Sequence, residues 1–188
     1  EKFEKNCKIG AVFQNAFISL NPTIKIGSQL KRLYESHYGT SENWKEKVIP
    51  LLEKVGIKDI EKFLKKYPHE TSGGERQRVV IAGALIGEPD LLIADEVTTA
   101  LDLRTKKEVI NLFKEIRKNL GISILFISHD LDSVRDFVDR VSVMYQGRIV
   151  EENSCEEIFQ HQEHIYVKKL IGLSKTLWTR GDKDVFTS

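Results

Sequence analysis

Cysteine is scarce in this chain: two residues in 188, Cys7 and Cys155, far apart and without metal-like spacing. Two thiols outside any framework suit a reducing cytoplasm better than a secreted, disulfide-stapled domain. No uninterrupted apolar run approaches the roughly 20 residues needed to span a bilayer. The first residues, Glu1-Lys2-Phe3-Glu4-Lys5, carry charge where a secretory leader needs an apolar core, so no signal peptide is expected. Net charge is nearly missing too, since 29 basic and 28 acidic residues leave +1. That balance removes the electrostatic argument for nucleic acid or an anionic membrane surface. Internal repeats and low-complexity stretches are absent. None of the 12 glycines is followed by Lys, so the phosphate loop G-x-x-x-x-G-K-[ST] does not occur. What is present, 40% hydrophobic and 30% charged residues over this length, fits one globular domain with a sizeable core.

Patterning divides the chain. Lys8 to Phe13 reads as a short strand ending at Gln14, and Ser19-Leu20-Asn21-Pro22 carries turn chemistry. Ile24 to Tyr38 and Glu42 to Val55 read as helices, the second with Ser41 as a candidate N-cap. The region from about 20 to 88 is expected to be mostly helical. Leu91-Leu92-Ile93-Ala94 and Ile122 to Ile127 are apolar runs of the kind expected for strands buried on both faces, separated by a helix over Leu103 to Leu120 that Gly121 stops. A short helix is expected over Leu131 to Val138. Val141 to Tyr145 and Arg148 to Val150 flank Gln146-Gly147, a two-residue hairpin signal. Ser154-x-x-Glu157 is a capping box opening a C-terminal helix. Strand and helix alternation implies an α/β layer with a parallel sheet. The expected parts are therefore a helical segment at about 20–88, an α/β core at about 89–152 and an extension at about 153–188.

Four features carry candidate chemistry. Asp95 and Glu96 emerge at the carboxyl end of a buried strand, where α/β sheets place ligands. An acid there can hold Mg²⁺ with nucleotide phosphates, and its neighbour can take a proton from an attacking water. The bland reading is a strand ending in two solvated acids. Thr71-Ser72-Gly73-Gly74-Glu75-Arg76 places two glycines at a helix start, where backbone N–H groups can approach an anion. Ser72-x-x-Glu75 is equally a self-contained capping box, and the two readings are compatible. His129, just after the next strand, can meet a phosphate or a developing charge, though a lone His is more often structural. Gln14 alone signals nothing.

Order changes the weight of these features. Gln14, Ser72-Gly73-Gly74, Asp95-Glu96, Asp102 and His129 resemble, in sequence order, the Q-loop, signature, Walker B, D-loop and H-loop of ABC-type ATPases. The resemblance covers Lys8 to about Gly172. Val12-Phe13-Gln14-Asn15-Ala16-Phe17-Ile18-Ser19-Leu20-Asn21-Pro22 looks like the Q-loop of oligopeptide, dipeptide and nickel importers. Gly147 to Glu152, Glu156 to Phe159 and His164-Ile165-Tyr166 resemble the same subfamily. Thr71 stands where the signature usually has Leu, and Val97 where Pro usually follows the catalytic Glu. In the family, the Walker A loop lies several dozen residues before the Q-loop and so would precede Glu1.

The resemblance implies an α/β, P-loop NTPase-like nucleotide-binding domain with a helical subdomain, here without the N-terminal part that includes Walker A. It implies ATP and Mg²⁺ as ligands. Asp95, with Gln14, would attend Mg²⁺; Glu96 would be the general base; Gln14 and His129 would sense water and γ-phosphate. Ser72, Gly73, Gly74 and Glu75 would meet nucleotide held by a second ATPase subunit, and Asp102 would lie across that interface. The further partners implied are transmembrane permease subunits and, indirectly, a solute-binding protein, at the cytoplasmic face of the cell membrane. Import of oligopeptides, dipeptides or nickel is the expected function. A soluble ABC-type ATPase of translation or DNA repair and an inactive remnant are the alternatives. The 188 residues alone are expected not to hydrolyse ATP.

Overall fold

A computed structural model of the chain describes residues 7–14, 19–99 and 101–172. The elements run β1 (Ile9–Val12), α1 (Ile26–Tyr38), α2 (Trp44–Lys54), α3 (Ile60–Phe63), a 3₁₀ turn (Pro68–Glu70), α4 (Gly73–Leu85), β2 (Leu91–Asp95), α5 (Leu103–Leu120), β3 (Ser123–Ile127), α6 (Leu131–Val134), β4 (Arg140–Tyr145), β5 (Arg148–Ser154) and α7 (Cys155–Gln160). Residues 165–172 are helical again. The chain forms two compact units, one ending at Ser128 and the other beginning at His129.

The first unit is built on a parallel sheet in the order β1-β2-β3. Val12 pairs with Ala94, Ala94 with Phe126 and Asp95 with Ile127. Parallel strands need long crossovers, which the helices between them supply. One sheet face carries Gly10, Val12, Leu92, Ala94, Ile124 and Phe126. Val12, Leu92 and Ala94 on it are fully buried. α5 covers this face through Phe113, fully buried, whose ring meets Phe126 edge-on at a centroid distance of 5.5 Å. α4 approaches β1 so closely that a Cβ on Gly10 would lie 2.5 Å from the Ala84 carbonyl oxygen, so only glycine fits there. The opposite face is open: Ile9, Leu125 and Ile127 are 59%, 50% and 44% exposed. The apolar runs predict strands covered on both sides. Among the described residues only one side is covered, because both covering helices cross the same face.

The helical segment packs locally. The Gly27 N–H donates to the Leu64 carbonyl at 2.9 Å, and Ile26, Leu30, Val48, Leu52 and Phe63 are buried. α1 stops at Gly39, which is left-handed at φ 71. Ser41 does not cap α2. The N-cap is Asn43 in the left-handed region at φ 56, without a side-chain cap, a conformation Asn tolerates. The hydroxyl just upstream, Thr40 Oγ1, instead accepts from the Glu42 N–H.

In the second unit β4 and β5 form an antiparallel hairpin. Gln146 and Gly147 both have positive φ, 50 and 77, as a type I′ turn requires. β5 runs to Ser154, beyond the predicted Val150, and Ser154 passes directly into α7 as its N-cap, accepting from the Glu157 N–H at 3.2 Å. The helix predicted over Leu131 to Val138 ends at Val134, because Phe137 and Val138 both donate to the Val134 carbonyl and close the segment as a turn. Val141, Val143, Ile158, Phe159, Val167 and Ile171 form this unit's core, with Cys155 among them. Burial pushes the Cys155 thiol above its ordinary value.

Phe113→Ala should destabilise the protein by about 3–5 kcal/mol through lost burial and the cavity left under β3. Leu103→Ala, at a position 77% exposed, should stay within about 0.5 kcal/mol. Urea unfolding of both variants checks the difference; equal midpoints would show that α5 does not anchor the sheet.

Candidate functional site

Parallel pairing sends the carboxyl ends of β1 and β2 to one edge of the sheet. Asp95 is the last residue of β2, and the chain turns sharply at Glu96. Glu96 adopts φ 52, a left-handed conformation uncommon for a residue with a side chain. Three contacts hold it there. Its N–H donates to the Ile127 carbonyl at 3.0 Å, and its own carbonyl accepts from the Thr99 N–H at 3.0 Å. Its carboxylate accepts a short hydrogen bond from the Thr99 hydroxyl. Val97 and Thr98 are buried beneath the turn. Local strain sustained by its surroundings is a mark of functional positions, and here it orients a carboxylate.

Gln14 lies two residues beyond Val12 on the strand beside β2, so it leaves by the same sheet edge as Asp95 and Glu96, and it is exposed. Residues 15–18 of the Q-loop-like segment lie outside the described residues. Beyond them the Ser-Leu-Asn-Pro turn is tied down. Asn21 Oδ1 accepts from the Thr23 N–H and hydroxyl at 2.9 and 2.7 Å, and the Gln29 amide of α1 bonds to both the N–H and the carbonyl of Asn21.

The second constellation is the start of α4. Ser72 is its N-cap, accepting from the Glu75 N–H at 3.1 Å, while Glu75 Oε2 accepts from the Ser72 N–H at 2.8 Å. The capping reading of this motif is therefore realised. It takes up the Glu75 N–H and leaves those of Gly73 and Gly74 outside the cap. A Cβ on Gly74 would meet only Thr105 Cγ2, at 4.0 Å, so the glycine is not needed for packing within this unit. The Ser72 N–H holds the Glu75 carboxyl below its ordinary range.

Thr105 belongs to the first turn of α5, which Asp102 caps. Asp102 accepts from the N–H groups of Arg104 and Thr105 and from the Thr105 hydroxyl, at 3.0, 3.0 and 2.6 Å. The Thr105 hydroxyl is the main cause of its lowered pKa. The structure thus brings the starts of α4 and α5 together. His129 stands two residues past β3, at the beginning of the second unit, and is exposed.

Sequence reasoning missed Thr99, Gln29 and Arg78. Thr99 follows Glu96 by three residues, the spacing of a turn that folds a hydroxyl back onto a carboxylate, and that was readable. Arg78 (Nη1 donates to the Val55 carbonyl at 2.5 Å) bridges distant segments, and Gln29 reaches back to the Asn21 turn eight residues upstream; no local pattern reports either.

With this geometry in hand, comparison with known proteins is informative. A family model described as ABC transporter matches residues 2–99. The oligopeptide transport ATP-binding protein OppD of Bacillus subtilis is 45% identical over 95% of this chain and 50% of its own length. The dipeptide transport ATP-binding protein DppD of the same organism is 44% identical over 89% of the chain and 50% of its length. The chain spans about half the length of these curated relatives. Among solved structures, CbiO1 of Clostridium perfringens, part of the ABC transporter complex CbiONQ, matches with a TM-score of 0.73 and 32% identity over 87% of this chain and 63% of that one. The ATP-binding cassette MJ0796, a dimer in a post-hydrolysis state with ADP and Pi, matches at 0.64 and 28% over 79% and 63%.

Because Glu75's folded pKa is lowered, its stabilising contribution is complete above its ordinary value of 4.5 and is lost as pH falls below that through the lowered value. Ser72→Ala, which keeps the Ser72 N–H, should cost about 1 kcal/mol at neutral pH, while Glu75→Gln, which removes the titrating carboxyl, should flatten that acid-side loss. Thermal melts from pH 7 to 3 would read it; parallel curves for Glu75→Gln and the parent would refute the coupling.

Proposed function

The chain belongs to the ABC transporter family, and on that premise we propose that it is the ATP-binding and ATP-hydrolysing subunit of a peptide importer. Its relatives are named as oligopeptide and dipeptide transport proteins, which supports peptides rather than nickel as the cargo. The observation that carries the reading is the turn at Glu96. A strained carboxylate at the carboxyl edge of a parallel sheet, aimed by Thr99 and Ile127, follows directly on Asp95.

Asp95, with Gln14 at the same edge, suits Mg²⁺, which takes one or two carboxylates and leaves its other positions to phosphate oxygens and water. Asp95 would be the protein ligand of Mg²⁺, which would supply neutralisation of phosphate charge. Glu96 accepts a proton from the attacking water, and Gln14, leaving by the same edge, orients that water. His129 attends the γ-phosphate. Ser72, Gly73 and Gly74 offer the α4 start to the nucleotide of a second ATPase subunit, and Asp102 faces that subunit. A helix N-terminus with two glycines lets backbone N–H groups approach an anion closely.

Of the 188 residues, the helical segment and the tied Ser19-Leu20-Asn21 turn dock on transmembrane permease subunits, which a solute-binding protein serves. No helix among the described residues is long and apolar enough to cross a membrane, and the proposed location is peripheral, on the cytoplasmic face. The stretch by itself has no phosphate loop, and its two acids would repel a polyphosphate, so turnover is assigned to the full-length protein only.

In the assembled full-length transporter, Glu96→Gln should lower ATP turnover by about 10²–10⁴ while ATP-bound dimers accumulate. Gly74→Asp should instead prevent ATP-driven association, since it places a carboxylate beside a phosphate. Phosphate release and size-exclusion chromatography separate the two. Unchanged turnover in the first variant would remove the general-base assignment, and unchanged association in the second would leave Gly74 as a helix-start residue only.

A further inference from the structure

Arg78 of α4 reaches both the helical segment and α5. Its Nη1 donates to the Val55 carbonyl, at the end of α2, at 2.5 Å. Its Nη2 faces Glu108 Oε2 of α5 at 3.7 Å. Room for the guanidinium comes from Gly56, left-handed at φ 80, where a Cβ would lie 3.0 Å from Nη1. Glu108 also receives Arg104 Nε at 3.4 Å, and the Arg104 N–H is held by Asp102. A continuous run of contacts therefore joins the helix that begins at Ser72-Gly73-Gly74 to the helix that Asp102 caps. The two helix starts are themselves adjacent at Gly74 and Thr105.

An exposed ion pair at this distance adds little to stability, so its consequence is geometric. A planar guanidinium can serve a carbonyl and a carboxylate at once in fixed directions, and an ammonium cannot. We propose that Arg78 is a positioning residue that sets the phosphate-facing turn at Ser72-Gly74 relative to the Asp102-capped helix, so that both meet the second subunit in one orientation. This rests on the reading of α4 and Asp102 as subunit-facing elements, and Arg78 itself touches no nucleotide.

The test uses the full-length protein in the Glu96→Gln background, where ATP-bound dimers persist, titrated with Mg-ATP. Arg78→Lys keeps the charge and loses the fork. It should raise the ATP concentration for half-maximal association about tenfold, with the melting temperature unchanged. Glu108→Gln, which alters only a half-exposed partner, should act in the same direction, and the double variant should show less than the sum of the two, as residues of one network do. Association at parental ATP concentrations by Arg78→Lys, or strict additivity with Glu108→Gln, overturns the proposal. Gly74→Asp serves as control. If it abolishes association while Arg78→Lys does not, the α4 reading stands and the role of Arg78 falls. If Gly74→Asp also associates normally, the reading beneath the inference falls, and the inference with it.

Discussion

The parallel register of β1, β2 and β3 is the constraint from which the candidate site follows. Pairing Val12 with Ala94, and Asp95 with Ile127, forces the strands to end at a common edge. Gln14, Asp95 and Glu96 then leave the sheet side by side although some 80 residues separate the first from the others. The register depends in turn on close contacts under the covered face. Gly10 admits the backbone of α4, and Phe113 of α5 fills the space below Phe126. Once those helices are seated, the chain emerging from β2 has little freedom, and the Ile127 carbonyl fixes the Glu96 N–H.

The α4 start shows how structural and functional demands share a few residues. Ser72 and Glu75 satisfy each other, so the helix start is stable without a ligand. The same box leaves the Gly73 and Gly74 N–H groups for an anion, and packing within the unit gives Gly74 no reason to lack a side chain. In the proposed reading, capping and phosphate recognition use different N–H groups of one helix end and do not compete.

Much of this was legible beforehand, and for identifiable reasons. The LLIAD run, the amphipathic face of α5 and the Gln146-Gly147 turn are local signals whose physics lies within a few residues. The capping box at Ser72 and the N-cap at Ser154, whose own N–H donates to Asn153 Oδ1 rather than to Glu157, are equally local. Asn43 was missed because Ser41 is an equally good cap by type, whereas the backbone placed the helix start after a left-handed Asn43 without a side-chain cap. The open face of the sheet was missed because an apolar strand reports that it will be covered and not what covers it. Arg78 was invisible because its partners are distant in sequence, and Gln29 because a glutamine side chain returning to a turn eight residues upstream has no spacing signature. At Thr99 the signal was present and was passed over.

The central claim is that the α4 start meets a phosphate held on another subunit. Hydrogen exchange of the full-length protein tests it most directly, with Mg-ATP compared against Mg-ADP at two protein concentrations. Amides at residues 73–75 should be protected by Mg-ATP alone, and only at the concentration that supports association, while the 95–99 segment responds to nucleotide at both. Protection of 73–75 that is independent of protein concentration, or absent under saturating Mg-ATP, would contradict the account.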